Sequence, residues 1–138
     1  MEAKVKYVDG LQFVGEAGSG HAIVMDGDTK FGGANTAVRP TELLLIGLGG
    51  CSGMDVISIL KKKKQDVKGL EINVKGQKAE SYPQKFTDIT IEFVVKGRNL
   101  SEEAVKRAVD LSMGKYCSVK ATLEGCAQIT FSYRIVEE

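Results

Sequence analysis

The sequence predicts an α+β fold with its elements in the order βββ-α-ββ-α-(short α)-β. Three observations carry this prediction. Short runs of alternating polarity occupy both ends of the chain, one long apolar segment follows the first third, and no regular strand–helix–strand repeat of the kind that builds a doubly wound parallel sheet is present. The length of 138 residues suits a single domain covering residues 1–138, with no linker and no internal repeat.

The first part of the chain predicts a three-stranded meander. The stretches AKVKYV, LQFVGEA and HAIVMDG have period-two or β-branched character. Turn residues separate them, with Asp9-Gly10 after the first and Gly18-Ser19-Gly20 after the second. A loop rich in glycine and asparagine, DTKFGGANTAV, then leads into the apolar segment.

A long helix is predicted from Pro40 to about Lys64. Proline suits the first turn of a helix, and Glu42 suits its positive end. Nearly every position from Leu43 to Leu60 is apolar or small, on all sides of the helix, which is typical of a helix buried on every face. A domain of this size can hardly enclose such a helix alone, so we expect a homodimer with this helix near the two-fold axis.

Four glycines, Gly47, Gly49, Gly50 and Gly53, surround Cys51 in the middle of this helix. Each costs roughly 1 kcal/mol of helix preference relative to alanine. Two explanations compete: the glycines permit close approach of another backbone, or they clear space beside the cysteine. Taken alone, this helix favours the simpler interpretation of Cys51 as a small core residue.

The remaining elements follow from alternation and capping signals. GLEINVKGQKAE and KFTDITIEFVVKG predict two strands joined by a turn at residues 81–83. NLSEEAVKRAVDLSMG predicts a helix with Ser101 as N-cap and Gly114 as its end. A short helix is predicted from Cys117 to Gly125, and AQITFSYRIVEE predicts the last strand.

Charge and cysteine spacing narrow the classes of function. Lys and Arg number 19 and Asp and Glu 18, so no overall field attracts nucleic acid or an anionic membrane. We find no basic leader and no apolar run of about 18 residues, and we therefore expect a cytoplasmic protein. Cys51, Cys117 and Cys126 lack the spacing of metal ligands, so no metal or cofactor is expected, and in a reducing compartment any pairing among them would be transient.

The placement of the cysteines leaves thiol chemistry as the question. Cys117 is predicted at the start of a short helix, where free backbone N–H groups and the helix dipole stabilise a thiolate. Cys126, next to Gly125, is expected to be a buried structural residue that begins a strand.

The stretch RPTELLLIGLGGCSGMDVISIL, followed 66 positions after its cysteine by KYCSV, resembles the OsmC/Ohr family of organic-hydroperoxide-reducing proteins, and most closely its YhfA-like branch. The likeness extends from VKYVDGLQFVGEA to ITFSYRIVEE. The resemblance implies an OsmC-like fold: an intertwined homodimer with two long central helices flanked by mixed sheets. It also implies two active sites at the subunit interface.

The resemblance further implies a two-cysteine peroxidase of the oxidative stress response. Cys51 would attack the hydroperoxide to give a sulfenic acid, and Cys117 would condense with it to form a disulfide. An external dithiol, in the Ohr branch a lipoylated protein, would restore the thiols.

Two departures from the family pattern concern its catalytic arginine and glutamate. The segment DTKFGGANTAV contains Lys30 and no arginine, and the position after the proline holds Thr41, with Glu42 one residue later. Within one chain Arg39 starts the helix roughly 17 Å from Cys51, beyond its reach. The partner subunit's Arg39 is therefore the leading candidate to stabilise the Cys51 thiolate, with Glu42 to orient it.

Other roles for these residues stay open. Arg39 is equally compatible with a solvated place at the helix start, Glu42 with a plain first-turn glutamate, and Arg98, Arg107 and Arg134 are further candidates. A second function is accordingly open: a dimer of the same fold without efficient turnover, which binds a small apolar ligand or senses oxidants.

Overall fold

The order of helices and strands agrees with the sequence prediction. The computed structural model describes residues Met1 to Glu138, which fall into two units, Met1–Leu44 and Leu45–Glu138. The elements are β1 (Ala3–Asp9), β2 (Gln12–Ala17), β3 (Ala22–Met25), α1 (Pro40–Lys62), β4 (Asp66–Lys78), β5 (Phe86–Arg98), α2 (Glu102–Leu111), α3 (Ser118–Leu123) and β6 (Gln128–Glu137).

The unit Met1–Leu44 contains the predicted meander. Strand β2 lies between β1 and β3 and pairs antiparallel with both. Gly10, at φ +56°, makes the tight reversal after β1 in a conformation that glycine adopts without strain. Tyr7 and Phe13 face each other across β1 and β2 with their rings edge to face, 5.5 Å between centroids.

A buried carboxylate organises the loop that follows β3. Asp26 is only 2% exposed and accepts hydrogen bonds from the Thr36 hydroxyl at 2.6 Å, the Gly27 N–H at 2.7 Å and the Thr36 N–H at 3.1 Å. These bonds, first among them the Thr36 hydroxyl, lower the pKa of Asp26 to about 2. The carboxylate therefore replaces the regular backbone pairing that this glycine-rich loop lacks.

The unit Leu45–Glu138 is built on a mixed sheet of order β4-β5-β6. Strands β4 and β5 form the predicted antiparallel pair, whereas β6 runs parallel to β5. A parallel neighbour requires a crossover connection, which α2 and α3 provide. The parallel pairing was not part of the sequence prediction.

One face of α1 forms the core with this sheet. Leu48, Val56 and Leu60 are fully buried in a cluster with residues of β5 and α2. The opposite side is uncovered in the single chain, with Ile46 55% and Met54 75% exposed. The single chain supplies apolar contacts for one side of the helix only, as expected of a domain of this size, and burial of the other side by a partner subunit stays a prediction.

The same helix also corrects the expectation about apolar length. An 18-residue window within α1 has a mean hydropathy of 1.9, so by length and composition alone the helix could cross a membrane. The core helix of a soluble protein has the same composition, and Leu48, Val56 and Leu60 pack inside the protein.

The end of α2 and the position of Cys126 also differ from prediction. Ser101 caps α2 as predicted, accepting the Ala104 N–H at 3.2 Å. Gly114 does not end the helix: α2 ends at Leu111, and a π turn continues to Tyr116. Cys126 is exposed and precedes β6, because residues 124–127 form a turn after α3.

Candidate functional site

The glycines of α1 divide between two sides of the helix. A Cβ atom on Gly49 would lie 3.3 Å from Val74 Cγ2, and one on Gly53 would lie 2.7 Å from Ile72 Cδ1, so these two glycines let α1 approach β4 closely. A Cβ atom on Gly47 or Gly50 would meet no atom within 4 Å. Close approach of another element therefore explains Gly49 and Gly53, and space beside the cysteine stays a prediction for Gly47 and Gly50.

Cys51 and Cys117 are neighbours, although 66 positions separate them in the chain. Cys51 is half-buried at the edge of the core, and Cys117 is 4% exposed within it. Cys117 lies at the N-cap of α3, where its Sγ atom accepts the Lys120 N–H at 3.4 Å. Two thiols that differ in exposure thus lie close together, one on α1 and one at the start of α3.

The expectation that the helix start stabilises a thiolate at Cys117 is wrong in its net direction. Burial first, and then the adjacent Cys51 thiol, raise the pKa of the Cys117 thiol to about 11 against the lowering effect of the Lys120 N–H. Desolvation of the charged sulfur outweighs one hydrogen bond from a helix of six residues.

A second link between α1 and Cys117 was missed by the sequence analysis. Ser112, which is fully buried in the π turn, donates its hydroxyl to Asp55 Oδ2 at 2.9 Å, and its carbonyl accepts the Cys117 N–H at 2.9 Å. Asp55 follows Cys51 by one helical turn, and it is the only charged residue between Glu42 and Lys61. The sequence did contain a signal for this link, because Asp55 is a lone carboxylate in an apolar helix, one turn after a cysteine.

An open cleft of about 410 Å³ adjoins this link. Asp55 lies in its wall, together with residues of α1, α2 and the π turn: Ser58, Ile59, Lys62, Lys63, Leu111 and Tyr116. The cleft gives Asp55 access to solvent and contains both apolar and cationic side chains. No group of three or more His, Cys, Asp or Glu side chains that could hold a metal ion occurs in the chain.

Arg39 and Glu42 lie together in the unit Met1–Leu44. The Arg39 guanidinium donates to the Ala37 carbonyl at 2.9 Å and to Asn35 Oδ1 at 2.8 Å, and it lies 4.0 Å from Asp28. Glu42 accepts the Arg39 N–H at 2.8 Å and so caps the start of α1. Within the chain, these contacts give both residues a structural role at the loop and the helix start.

The other arginines considered lie on the sheet and α2. Arg134 pairs with Glu92 at 3.4 Å across β5 and β6. Arg98 ends β5, and Arg107 lies on the exposed side of α2. Neither Cys51 nor Cys117 accepts a hydrogen bond from an arginine of the same chain.

Comparison with known proteins identifies relatives over nearly the whole chain. The family model described as OsmC-like protein matches residues 32–132. Protein YhfA of Escherichia coli strain K12 is 48% identical over 136 residues, which cover 99% of this chain and 98% of that protein.

Solved structures share the fold. A hypothetical protein from Aquifex aeolicus VF5 is 34% identical, with a TM-score of 0.87 over 99% of this chain and 96% of its own. An organic hydroperoxide resistance protein, OsmC, from Legionella pneumophila has the same fold at 14% identity, with a TM-score of 0.68 over 96% of this chain and 94% of its own. The α+β architecture, the extent of the family match and the identity to YhfA lead to one conclusion: the chain belongs to the OsmC family.

Proposed function

We propose that the protein is a thiol-dependent peroxidase that reduces organic hydroperoxides through Cys51 and Cys117. The observation that carries the proposal is the contact of two thiols that differ in burial, the half-buried one on the central helix and the buried one beside it. Membership of a family linked to redox and peroxide chemistry supports it. The name of the Legionella pneumophila relative, an organic hydroperoxide resistance protein, suggests the substrate class.

The first step takes place at Cys51. Its sulfur attacks the terminal oxygen of the hydroperoxide, the O–O bond breaks, and the products are an alcohol and a Cys51 sulfenic acid. Cys51 suits this step because it is half-buried and next to the bare backbone of Gly47 and Gly50, whereas Cys117 is enclosed.

The second step joins the two sulfurs. The Cys117 sulfur attacks the sulfenic sulfur, an S–S bond forms, the S–O bond breaks, and the thiol proton leaves with the hydroxide as water. A dithiol, such as a lipoyl group carried by another protein, then reduces the disulfide by two thiol exchanges and returns the enzyme to its starting state. No metal or bound cofactor takes part in this scheme.

The proposed enzyme is a cytoplasmic homodimer in which residues 1–138 act as one domain. The uncovered apolar side of α1 and the typical dimeric state of OsmC proteins support the assembly. In the dimer, the partner subunit's Arg39 stabilises the Cys51 thiolate, and Glu42 orients that arginine through the helix start. The bond from the Arg39 backbone N–H to Glu42 fixes the backbone of Arg39 at the helix start.

A thiol count tests the proposal. One equivalent of cumene hydroperoxide per chain should remove two of the three free thiols of the wild type, and peptide mapping should find a disulfide between residues 51 and 117. Cys51→Ser should abolish peroxide consumption. Cys117→Ser should leave a Cys51 sulfenic acid that dimedone traps, and Cys126→Ser, at an exposed position, should behave as wild type. Unchanged thiol counts in the wild type would reject the proposal.

The second candidate function is a dimer of the same fold without efficient turnover, which senses oxidants or binds a small apolar ligand. The contacts of Arg39 favour it, because its guanidinium already binds Ala37 and Asn35. This candidate predicts stoichiometric oxidation that stops after one cycle. Sustained consumption of hydroperoxide with dihydrolipoamide as reductant would reject it, and loss of that turnover in Arg39→Ala would support the role of the arginine.

A further inference from the structure

Asp55 and Ser112 connect the helix that carries Cys51 to the backbone of Cys117. The Ser112 hydroxyl bonds to Asp55 Oδ2 at 2.9 Å and also lies 3.4 Å from the Ser52 carbonyl. The Ser112 carbonyl binds the Cys117 N–H at 2.9 Å. Because Ser112 is fully buried, its hydroxyl has no water to replace these partners.

The π turn is the reason that Ser112 can make both contacts. It is inserted between α2 and α3 at Ser112–Tyr116, and it turns the chain so that Cys117 meets α1. Turns of this kind are frequent at functional sites, since they interrupt a helix without breaking its hydrogen bonding. Asp55 holds the first residue of the turn, and the last residue precedes Cys117.

Asp55 is the anionic group of this link and lies on α1, the helix that carries Cys51. Lys62 lines the same cleft from the end of α1, Lys63 lines it from the turn that follows, and Tyr116 lines it from the π turn. On α3 the Lys120 ammonium is paired with Glu124 at 2.7 Å, so it is already engaged. Lys115, in the π turn, lies over the Tyr116 ring at 5.2 Å.

We propose that Asp55 and Ser112 are a positioning pair for Cys117, in which the carboxylate holds the Ser112 hydroxyl and places a negative charge at this link, and the serine fixes the second sulfur beside Cys51. The catalytic meaning of the pair rests on the proposed function. Burial is the largest cause that raises the pKa of Cys117, the Cys51 thiol follows, and the Asp55 carboxylate adds the smallest contribution in the same direction. Cys117 is thus withheld from direct reaction with the oxidant, and its proton is released only when it attacks the Cys51 sulfenic acid and water leaves.

The two members of the pair are separable by mutation. Asp55→Asn removes the charge but keeps an oxygen that can accept the Ser112 hydroxyl, and Asp55→Glu keeps the charge in a longer side chain. Ser112→Ala removes the tether and leaves the carboxylate. Asp110→Asn, on the exposed side of α2, is the matched control for loss of one negative charge.

The first experiment measures the reactivity of Cys117 alone and does not depend on peroxidase activity. In a chain carrying Cys51→Ser and Cys126→Ser, the rate of reaction with methyl methanethiosulfonate is followed from pH 7 to pH 10. Asp55→Asn should react at least about threefold faster at pH 8, because less work is needed to form the thiolate, with the profile shifted to lower pH. Asp55→Glu and Asp110→Asn should follow the parent.

This experiment also separates charge from loosening of the structure. If Asp55→Glu reacts as fast as Asp55→Asn, accessibility and not charge controls Cys117, and the carboxylate role is overturned. An unchanged profile in Asp55→Asn overturns it as well.

The second experiment measures disulfide formation in the chain with Cys51 and Cys117 intact. After one equivalent of cumene hydroperoxide, dimedone competes with Cys117 for the Cys51 sulfenic acid. Ser112→Ala should form the disulfide on the order of tenfold more slowly and give more dimedone adduct, since the second sulfur is less well placed. Equal partition in Ser112→Ala and wild type would overturn the positioning role.

The two proposals fail differently. If wild-type protein forms neither adduct nor disulfide, the proposed peroxidase function fails, while the reaction of Cys117 with methyl methanethiosulfonate still decides the role of Asp55. If wild type forms the disulfide and the variants match it in both experiments, the peroxidase function stands and the positioning pair is rejected.

Discussion

Burial and hydrogen bonding act in opposite directions on the Cys117 sulfur. The Lys120 N–H favours the thiolate and lowers the pKa of Cys117. Desolvation of the buried sulfur is the larger effect, and the pKa rises to about 11. At neutral pH, Cys117 is therefore a neutral thiol and a weak nucleophile toward a small oxidant. In the second step of a two-cysteine cycle this sulfur must lose its proton as it attacks, and the closeness of Cys51 compensates for the small thiolate fraction.

The carboxylate of Asp26 shows the opposite case of the same principle, and it predicts an acid dependence for the stability of the loop. Its pKa falls from 3.8 to about 2 on folding, so its contribution is fully present above about pH 4 and is lost as the pH falls toward 2. At pH 7, Asp26→Asn should have a smaller free energy of unfolding than wild type.

Denaturant unfolding at a series of pH values measures this effect. The difference between wild type and Asp26→Asn should be constant from pH 7 to pH 5 and should shrink below pH 4. Asp9→Asn, at the exposed last residue of β1 and without the bonds of Asp26, is the control. A difference that persists unchanged at the lowest pH would contradict the assignment.

At the scale of elements, α1 positions Cys51 and the π turn positions Cys117. Helix α1 approaches the sheet closely through Gly49 and Gly53. This close approach sets the distance between β4 and the part of the helix that carries Cys51. The π turn sets the position of Cys117 by ending α2 with an extra residue per turn. The site therefore depends on the packing of α2, whose buried side presents Ala104, Val105, Ala108 and Val109 to the core.

The N-cap of α2 predicts a measurable loss of stability. Ser101 accepts the Ala104 N–H at 3.2 Å, and Ser101→Ala leaves that donor without its partner. The variant should lose about 1 kcal/mol in the free energy of unfolding. Ser101→Asp, which can cap in the same way, should lose much less, and urea denaturation compares the three proteins. Equal losses in both variants would show that the cap is not the cause.

Periodicity and capping signals were sufficient for the meander, for both ends of α1 within two residues and for the start of α2, because these features are encoded locally. The parallel pairing of β6 with β5 is not local, and neither is the bond between Ser112 and Asp55, which are 57 positions apart. The pairing of Cys51 with Cys117 was predicted through the family resemblance and not from their spacing. Nothing in the sequence of SMGKY distinguished a π turn from a helix end.

At the scale of the whole molecule, the most important feature is the apolar side of α1 that the single chain leaves exposed. Ile46 and Met54 expose apolar surface on the helix that carries Cys51, and the strands β1 and β2 expose further aromatic side chains, Tyr7 and Phe13. Exposed apolar surface of this kind marks an interface in soluble proteins. A dimer that covers it would also account for Gly47 and Gly50, since a Cβ atom on either would meet no atom within 4 Å in the single chain.

The assembly is tested by placing a charge on the uncovered side of α1. Met54 is 75% exposed in the single chain, so Met54→Asp should leave the fold intact and convert a dimer into a monomer of 14.9 kDa. Light scattering coupled to size-exclusion chromatography measures the mass, and circular dichroism confirms folding. Ala121→Asp, at an exposed position on α3, should remain dimeric. A wild-type mass of one chain would refute the dimer.

The long sequence separation of Cys51 and Cys117 affects the melting temperature of the oxidised protein. A bond between sulfurs that are neighbours in space but 66 positions apart along the chain closes a large loop in the denatured protein. The lost chain entropy amounts to about 4 kcal/mol at 25 °C. The oxidised protein should therefore melt at a higher temperature than the reduced one, and a calorimetric scan would report the redox state of the sample without any chemical label.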